Sequence, residues 1–277
     1  MPENDFLYSP ICTYLRGAFG YQVPVFSMIV DYYIKVAAKK VLYTIHKWSQ
    51  VVFRVGGDRY DFQTIDLFKS KLKKDSNCID IGANAGHILQ EILKYAPQGK
   101  HYAFEPLPYL NRFLKKKFGK KVQVFDYALS DNSNSSVEFS YYENRPAVSG
   151  FKERKSLPGY TVKKLTVQTM KLDDVIPADV KIDLIKIDVE GAEYLVFKGA
   201  QQTLIRNKPI VLFECGPGGA DEYNSTPEQI FDLLTACGLK ISVIEYYLKG
   251  FEAFTRDEFV GQFYKGYNYF FVAYPAS

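Results

Sequence analysis

The stretch Cys78-Ile79-Asp80-Ile81-Gly82-Ala83-Asn84-Ala85-Gly86-His87-Ile88-Leu89 decides how this chain folds. A short run of almost continuous apolar character meets two glycines four positions apart. Apolar residues at helical spacing follow, at Ile88, Leu89, Ile92 and Tyr95. Such a run reads as a buried strand, and glycines at its end permit a tight turn before a helix. Strand, glycine turn and helix together predict the first unit of a parallel sheet covered on both faces.

The same alternation extends in both directions. Phe62, Ile65, Phe68 and Leu72 predict a helix before the strand. After it come the strand His101-Tyr102-Ala103-Phe104, a helix marked by Leu110, Phe113, Leu114 and Phe118, and the strand Val122-Gln123-Val124-Phe125. The rhythm breaks between about 130 and 170 and returns with the strand 182–187. A helix carrying Tyr194, Phe197, Ala200 and Leu204 follows, then the strand Ile210-Val211-Leu212-Phe213. Thr226-Pro227-Glu228-Gln229 is a helix start of capping-box type. Two more strands are expected around 241–246 and 269–273. In the 130–170 interval, Val137-Glu138-Phe139-Ser140-Tyr141 and Leu165-Thr166-Val167-Gln168 alternate like strands around a polar stretch, 144–159. It reads as a β-excursion with a mobile loop of the kind that covers active sites.

Residues 1–60 read as an N-terminal extension to a main domain at 61–277. Val30, Ile34, Ala37, Val41, Ile45 and Trp48 define an amphipathic helix, with Asp31, Lys35 and Lys39 opposite. It either packs on the main domain or meets an anionic surface through Lys35, Lys39, Lys40 and Lys47. Val51-Val52-Phe53-Arg54-Val55 reads as a short strand ending at Gly56-Gly57-Asp58.

Composition narrows the function. The chain has 277 residues, 47% apolar and 24% charged, ample for a sizeable core. Its net charge of +4 predicts no obligatory nucleic-acid partner. Cys12, Cys78, Cys215 and Cys237 show no metal or redox spacing, and Cys78 and Cys215 sit in apolar runs. The N-terminus lacks a signal-peptide build, and the run 23–30 is too short to span a bilayer, so a cytoplasmic setting is expected.

Two features at the strand ends suggest the ligand. Gly82 and Gly86, followed by a helix N-terminus, suit a ligand with an anionic group. A dinucleotide fingerprint needs glycine where Asn84 stands, which disfavours a pyrophosphate and hence a nicotinamide-dependent oxidoreductase. Glu105, at the tip of the second strand about 20 residues on, is placed to accept both hydroxyls of a ribose. A nucleoside with a small anionic tail fits, and S-adenosylmethionine (AdoMet) meets that description. Asn84 serves equally as a residue that tolerates left-handed backbone.

An acidic cluster follows the next strand of the series. Asp188, Glu190 and Glu193 fall within six residues, after Lys186 and around Gly191, and Glu214 ends the neighbouring strand. Activating a hydroxyl as a nucleophile needs a base or a metal. Crowded carboxylates can serve as the base, or Asp188, Glu190 and Glu214 can hold Mg2+. Glu193 also suits the start of the next helix. Lys186 in an apolar strand calls for a salt bridge to these acids. Lys115-Lys116-Lys117 with Lys120-Lys121 reads as a solvated face.

Asp80-Ile81-Gly82-Ala83-Asn84-Ala85-Gly86, Phe104-Glu105-Pro106, Ala128-Leu129-Ser130, Leu172-Asp173-Asp174 and Lys186-Ile187-Asp188-Val189-Glu190-Gly191-Ala192-Glu193 resemble, in order, the motif set of FkbM-type methyltransferases. The resemblance covers roughly 75–215. It implies a class I AdoMet-dependent methyltransferase fold: α/β and Rossmann-like, with a seven-stranded, mostly parallel sheet, helices on both faces and an antiparallel last strand. It further implies O-methylation of a hydroxyl on a sugar, glycan or secondary metabolite. Carried over by residue, Asp80 belongs to the cofactor-binding set, Gly82, Asn84 and Gly86 surround the cofactor's methionine part, Glu105 takes the ribose, and Ala128 and Leu129 meet adenine. Family members often carry a histidine near the position of Glu214. This chain has only His46, His87 and His101, which leaves the acids as catalytic candidates. A nucleic-acid methyltransferase is disfavoured, because Asp188-Val189-Glu190-Gly191 replaces the Asn/Asp-Pro-Pro-aromatic run. A non-catalytic AdoMet-binding module remains an alternative.

Overall fold

The computed structural model describes residues 59–142, 149–153 and 161–276. The expected helix at 30–48, the strand at 51–55 and Cys12 lie outside the described residues. In chain order the elements are α1 (Arg59–Lys71), β1 (Cys78–Ile81), α2 (His87–Tyr95), β2 (His101–Phe104), α3 (Pro108–Phe118), β3 (Val122–Phe125), β4 (Tyr127–Leu129), β5 (Ser135–Tyr142), β6 (Val162–Met170) and α4 (Leu172–Val175). They continue with β7 (Leu184–Ile187), α5 (Glu193–Lys198), α6 (Gln201–Asn207), β8 (Ile210–Glu214), a 3-10 turn (Ala220–Tyr223), α7 (Pro227–Ala236), β9 (Leu239–Ser242), α8 (Ile244–Lys249), α9 (Arg256–Tyr264) and β10 (Phe270–Pro275).

Seven strands form one sheet in the order β3-β2-β1-β7-β8-β10-β9, and only β10 runs antiparallel to its neighbours. Side chains alternate across each strand, so the sheet feeds two cores. On one face Ile79, Ile81, Ile185, Ile187, Val211 and Phe213 pack with Val196, Leu204, Ile230 and Phe259. On the other, Cys78, Leu184, Leu212 and Val272 pack with Leu67, Phe68 and Ile92. The expected α/β architecture is therefore the one observed, and Asp58–Ser277 form one compact unit. No described helix is long and apolar enough to cross a membrane.

The interval after β3 is a second sheet, ordered β4-β6-β5, in which β5 and β6 pair antiparallel from Ser135↔Thr169 to Tyr142↔Val162. Residues 149–153 return to it through a bridge between Gly150 and Ser140.

Two local expectations need correction. The helix read through Tyr194, Phe197, Ala200 and Leu204 is two helices, α5 and α6, broken at Gly199. A Cβ there would sit 2.1 Å from the Ser130 carbonyl oxygen, so the chain turns where backbone approaches backbone. Asp173 accepts from the Gln202 and Thr203 amides at 2.9 and 2.8 Å, capping the new helix start from outside. The strand expected at 241–246 ends at Ser242, and Ile244 begins α8. Ile244, Tyr247 and Leu248 carry helical spacing and pack on the second core. The Thr226 capping box is present as read.

Candidate active site

The carboxyl ends of β1, β2 and β7 open onto a cavity of about 290 Å³. Parallel strands place their following loops at one edge, where open α/β sheets bind ligands. Gly82 turns with φ +74°, and a Cβ on it would lie 1.9 Å from the Asp188 carbonyl oxygen. That close approach of the β1 and β7 ends demands glycine. Asn84 adopts left-handed backbone, φ 46°, and its N–H donates to Glu105 Oε2 at 2.8 Å. The Leu107 N–H donates to Oε1 at 2.9 Å, so Glu105 ties the loop after β1 to the loop after β2. Asn111, on α3, secures that edge by donating to the Glu105 and Phe125 carbonyls.

Glu105 is 5% exposed. Burial raises its carboxyl to about 7, against the pull of the Leu107 and Asn84 amides. A carboxylate offers about four acceptor positions. Two are taken by backbone, and the remainder are available to a bound diol.

Asp80 and Lys186 are register partners on adjacent strands, so their side chains share one face. Lys186 Nζ lies 3.6 Å from Asp80 Oδ1 and 3.2 Å from Asp188 Oδ2, and donates to the Gly82 carbonyl at 3.2 Å. Burial opposes the ammonium charge, but Asp188 and Asp80 outweigh it and hold Lys186 above the usual lysine range. Burial likewise pushes the Asp80 carboxyl upward despite Lys186. The ion pair expected for Lys186 is present, and it braces the glycine loop against β7.

The turn after β7 is strained. Glu190 has φ 60° and Gly191 φ 106°. Glu193 Oε1 accepts from the Val189 and Gly191 amides at 3.0 and 3.3 Å. Burial raises Glu193 to about 8. Beyond opening α5, Glu193 thus holds the turn that displays Asp188 and Glu190.

Of the residues singled out from sequence, Gly82, Asn84, Glu105, Ala128, Leu129, Asp188 and Glu190 line the cavity together, and Asp80, Gly86 and Glu214 do not. Asp80 is fully buried beneath Lys186. Gly86, the left-handed cap of α2, faces Leu114 and Phe118 of α3. Glu214 ends β8 beside β10, and Asp188, Glu190 and Glu214 do not converge on one ion position. Among the described residues no group of three or more His, Cys, Asp or Glu is placed to hold a metal. The geometry does not fit the Mg2+ site considered from sequence.

Sequence reasoning missed Tyr127, Phe139, Ser149 and Phe151, which complete the wall. Its place next to Ala128 was the one signal in sequence for Tyr127; the structure adds the ring ladder Phe104–Phe125–Tyr127, with centroids 5.1 and 6.0 Å apart. Phe139 and Phe151 come from the excursion, edge to face at 5.9 Å.

A family model for the methyltransferase FkbM domain matches residues 80–241, more than half the chain. The chain belongs to the FkbM methyltransferase family. Similar proteins include the 2-O-methyltransferase NoeI of Sinorhizobium fredii, 27% identical over 50% of this chain and 63% of its own length. The methyltransferase sdnD of Sordaria araneosa is 28% identical, over 49% of this chain and 66% of its own. The AMB antimetabolite synthetase AmbE of Pseudomonas aeruginosa is 26% identical, over 62% of this chain but 10% of its own. The chain thus spans less than two thirds of each relative's length. A crystal structure of methyltransferase FkbM from Methylobacillus flagellatus superposes with TM-score 0.44 at 16% identity, covering 82% of this chain and 48% of that one.

Proposed function

We propose that this FkbM-family chain is an AdoMet-dependent O-methyltransferase acting on a hydroxyl of a sugar, glycan or secondary metabolite. The observation that carries the reading is Glu105. Its buried carboxylate is fixed by two backbone amides at the edge of the cavity and retains acceptor positions for a ribose diol. The surrounding residues fit the rest of such a cofactor. The Gly82–Asn84 turn offers backbone polar groups to its amino-acid end. Leu107, Tyr127, Ala128 and Leu129 offer an apolar slot to its base. Bound there, AdoMet supplies an electrophilic methyl group.

The chain's own part is to hold and deprotonate the acceptor. Asp188 and Glu190 are the two acids from the sequence cluster that line the cavity. Asp188 is held by Lys186 and orients the hydroxyl. Glu190, on strained backbone at the cavity wall, takes its proton. Phe139 and Phe151 of the excursion give the cavity an apolar wall. The 2-O-methyltransferase among the relatives supports oxygen as the acceptor atom.

Calorimetry with S-adenosylhomocysteine tests the cofactor, and transfer of labelled methyl from AdoMet to a panel of glycans and metabolite extracts tests the acceptor. Micromolar binding with label in a base-stable ether is expected. Absence of binding, together with binding of NAD(P), would establish the oxidoreductase instead.

A further inference from the structure

We propose that the outer face of α3 is a docking surface for anionic lipid bilayers. α3 buries Leu110, Asn111, Leu114 and Phe118 against the domain. At 100° per residue, Tyr109, Arg112, Phe113 and Lys116 form the opposite stripe, flanked by Lys115 and Lys117. That stripe holds no acid. Phe113 is 46% and Tyr109 38% exposed, with Tyr109 leaning on the Tyr141 ring at 5.7 Å. Lys117 Nζ lies 5.6 Å over the Phe113 ring.

The helix exit continues the charge. Lys115, Lys116, Lys117, Lys120 and Lys121 surround a shallow depression, and among the described residues none of the five has a carboxylate partner. Lysines at a helix C-terminus favour the dipole. That accounts for some of the charge but not for an exposed phenylalanine beside it and an exposed tyrosine further along the same stripe. Aromatic side chains ringed by lysines whose long stems let the ammonium reach headgroups are the chemistry of an interfacial helix. Single-stranded nucleic acid would need a stacking platform inside the basic depression. Among the described residues lining the depression the one aromatic, Phe118, is 7% exposed and turned inward, while Phe113 and Tyr109 lie outside it on the helix's outer stripe, so the lipid surface is the better fit.

The test is co-sedimentation of the full chain with phosphatidylcholine vesicles, with and without phosphatidylserine. Retention by the anionic vesicles alone, lost at high salt, is expected. Each lysine near a charged surface contributes about 1 kcal/mol. Lys116→Ala/Lys117→Ala/Lys120→Ala should therefore weaken partitioning roughly a hundredfold. Phe113→Ser should weaken it about tenfold, and all four positions lie on the surface, so circular dichroism should be unchanged. S-adenosylhomocysteine affinity should be unchanged as well, which separates this result from the fate of the methyltransferase reading. Equal binding to neutral vesicles, no binding, or variants that bind like the parent would overturn the proposal. So would capture of a single-stranded oligonucleotide, lost in the same variants, without vesicle binding.

Discussion

Asp80 and Lys186 face each other in register across two parallel strands, and the ammonium of Lys186 reaches past Asp80 to Asp188 and the Gly82 carbonyl. One buried cation thereby holds together the glycine loop, the sheet and the first acid of the cavity.

Removing that cation leaves two carboxylates short of their partner. Lys186→Met should destabilise the chain by about 3–5 kcal/mol, the cost typical of breaking a buried pair. Asp80→Asn/Lys186→Met should recover part of the loss, because the buried charge goes with its partner. Urea unfolding of the four-member cycle measures the coupling, and additive effects would show that the pair is not coupled.

Glycine at position 82 answers to sterics as well as to φ. Gly82→Ala must place a Cβ 1.9 Å from the Asp188 carbonyl oxygen. We expect a loss well above the roughly 1–2 kcal/mol of a left-handed alanine, and disrupted cofactor binding. Gly218→Ala is the control, since φ is +85° there but nothing lies within 4 Å. It should show the backbone cost alone. Thermal unfolding of the two variants makes the comparison.

Glu105→Ala should lower S-adenosylhomocysteine affinity about a hundredfold, because the Asn84 and Leu107 amides lose their acceptor along with the ribose. Unchanged affinity by calorimetry would sink the ribose assignment.

Binding should also depend on pH. Glu105 titrates at about 7 in the free protein, and a diol donates to the ionised form. Affinity should then fall by roughly thirtyfold from about pH 8 to about pH 5.5, with proton release near neutrality. Calorimetry in buffers of different ionisation enthalpy reads the proton directly, and Glu105→Gln should flatten the profile.

Glu193 shifts stability in the same pH range. Its folded value of about 8 lies above its unfolded value, so the folded chain holds a proton that the unfolded chain has lost. This contribution is fully present below about pH 4.5 and disappears as pH rises through about 8, a few kcal/mol in all. Melting temperature should fall over that interval, less steeply for Glu193→Gln. A slope unaffected by the substitution would assign the effect elsewhere.

The glycine loop, the alternation of apolar strands with helices and the acids at strand ends were readable because each is a local pattern. Strand burial, helical period and turn chemistry are written within about a dozen residues. From these the chain's sheet, its cavity edge and Glu105's place at the second strand end, opposite the glycine loop, were all accessible.

Contacts between segments far apart in sequence were not. Gly199 breaks a helix because Ser130 lies beside it, and Asp173 caps a helix start that begins nearly 30 residues later. Phe151 enters the cavity wall through an excursion whose return path no periodicity encodes. Whether three acids meet at one point is likewise a question of packing distances, and here Glu214 stays apart from the cavity that Asp188 and Glu190 line. Residue types and their spacing determined the family and the edge of the sheet that carries the cavity. Tertiary structure alone decided which side chains reach that edge, because a side chain's direction depends on neighbours that chain order does not bring near.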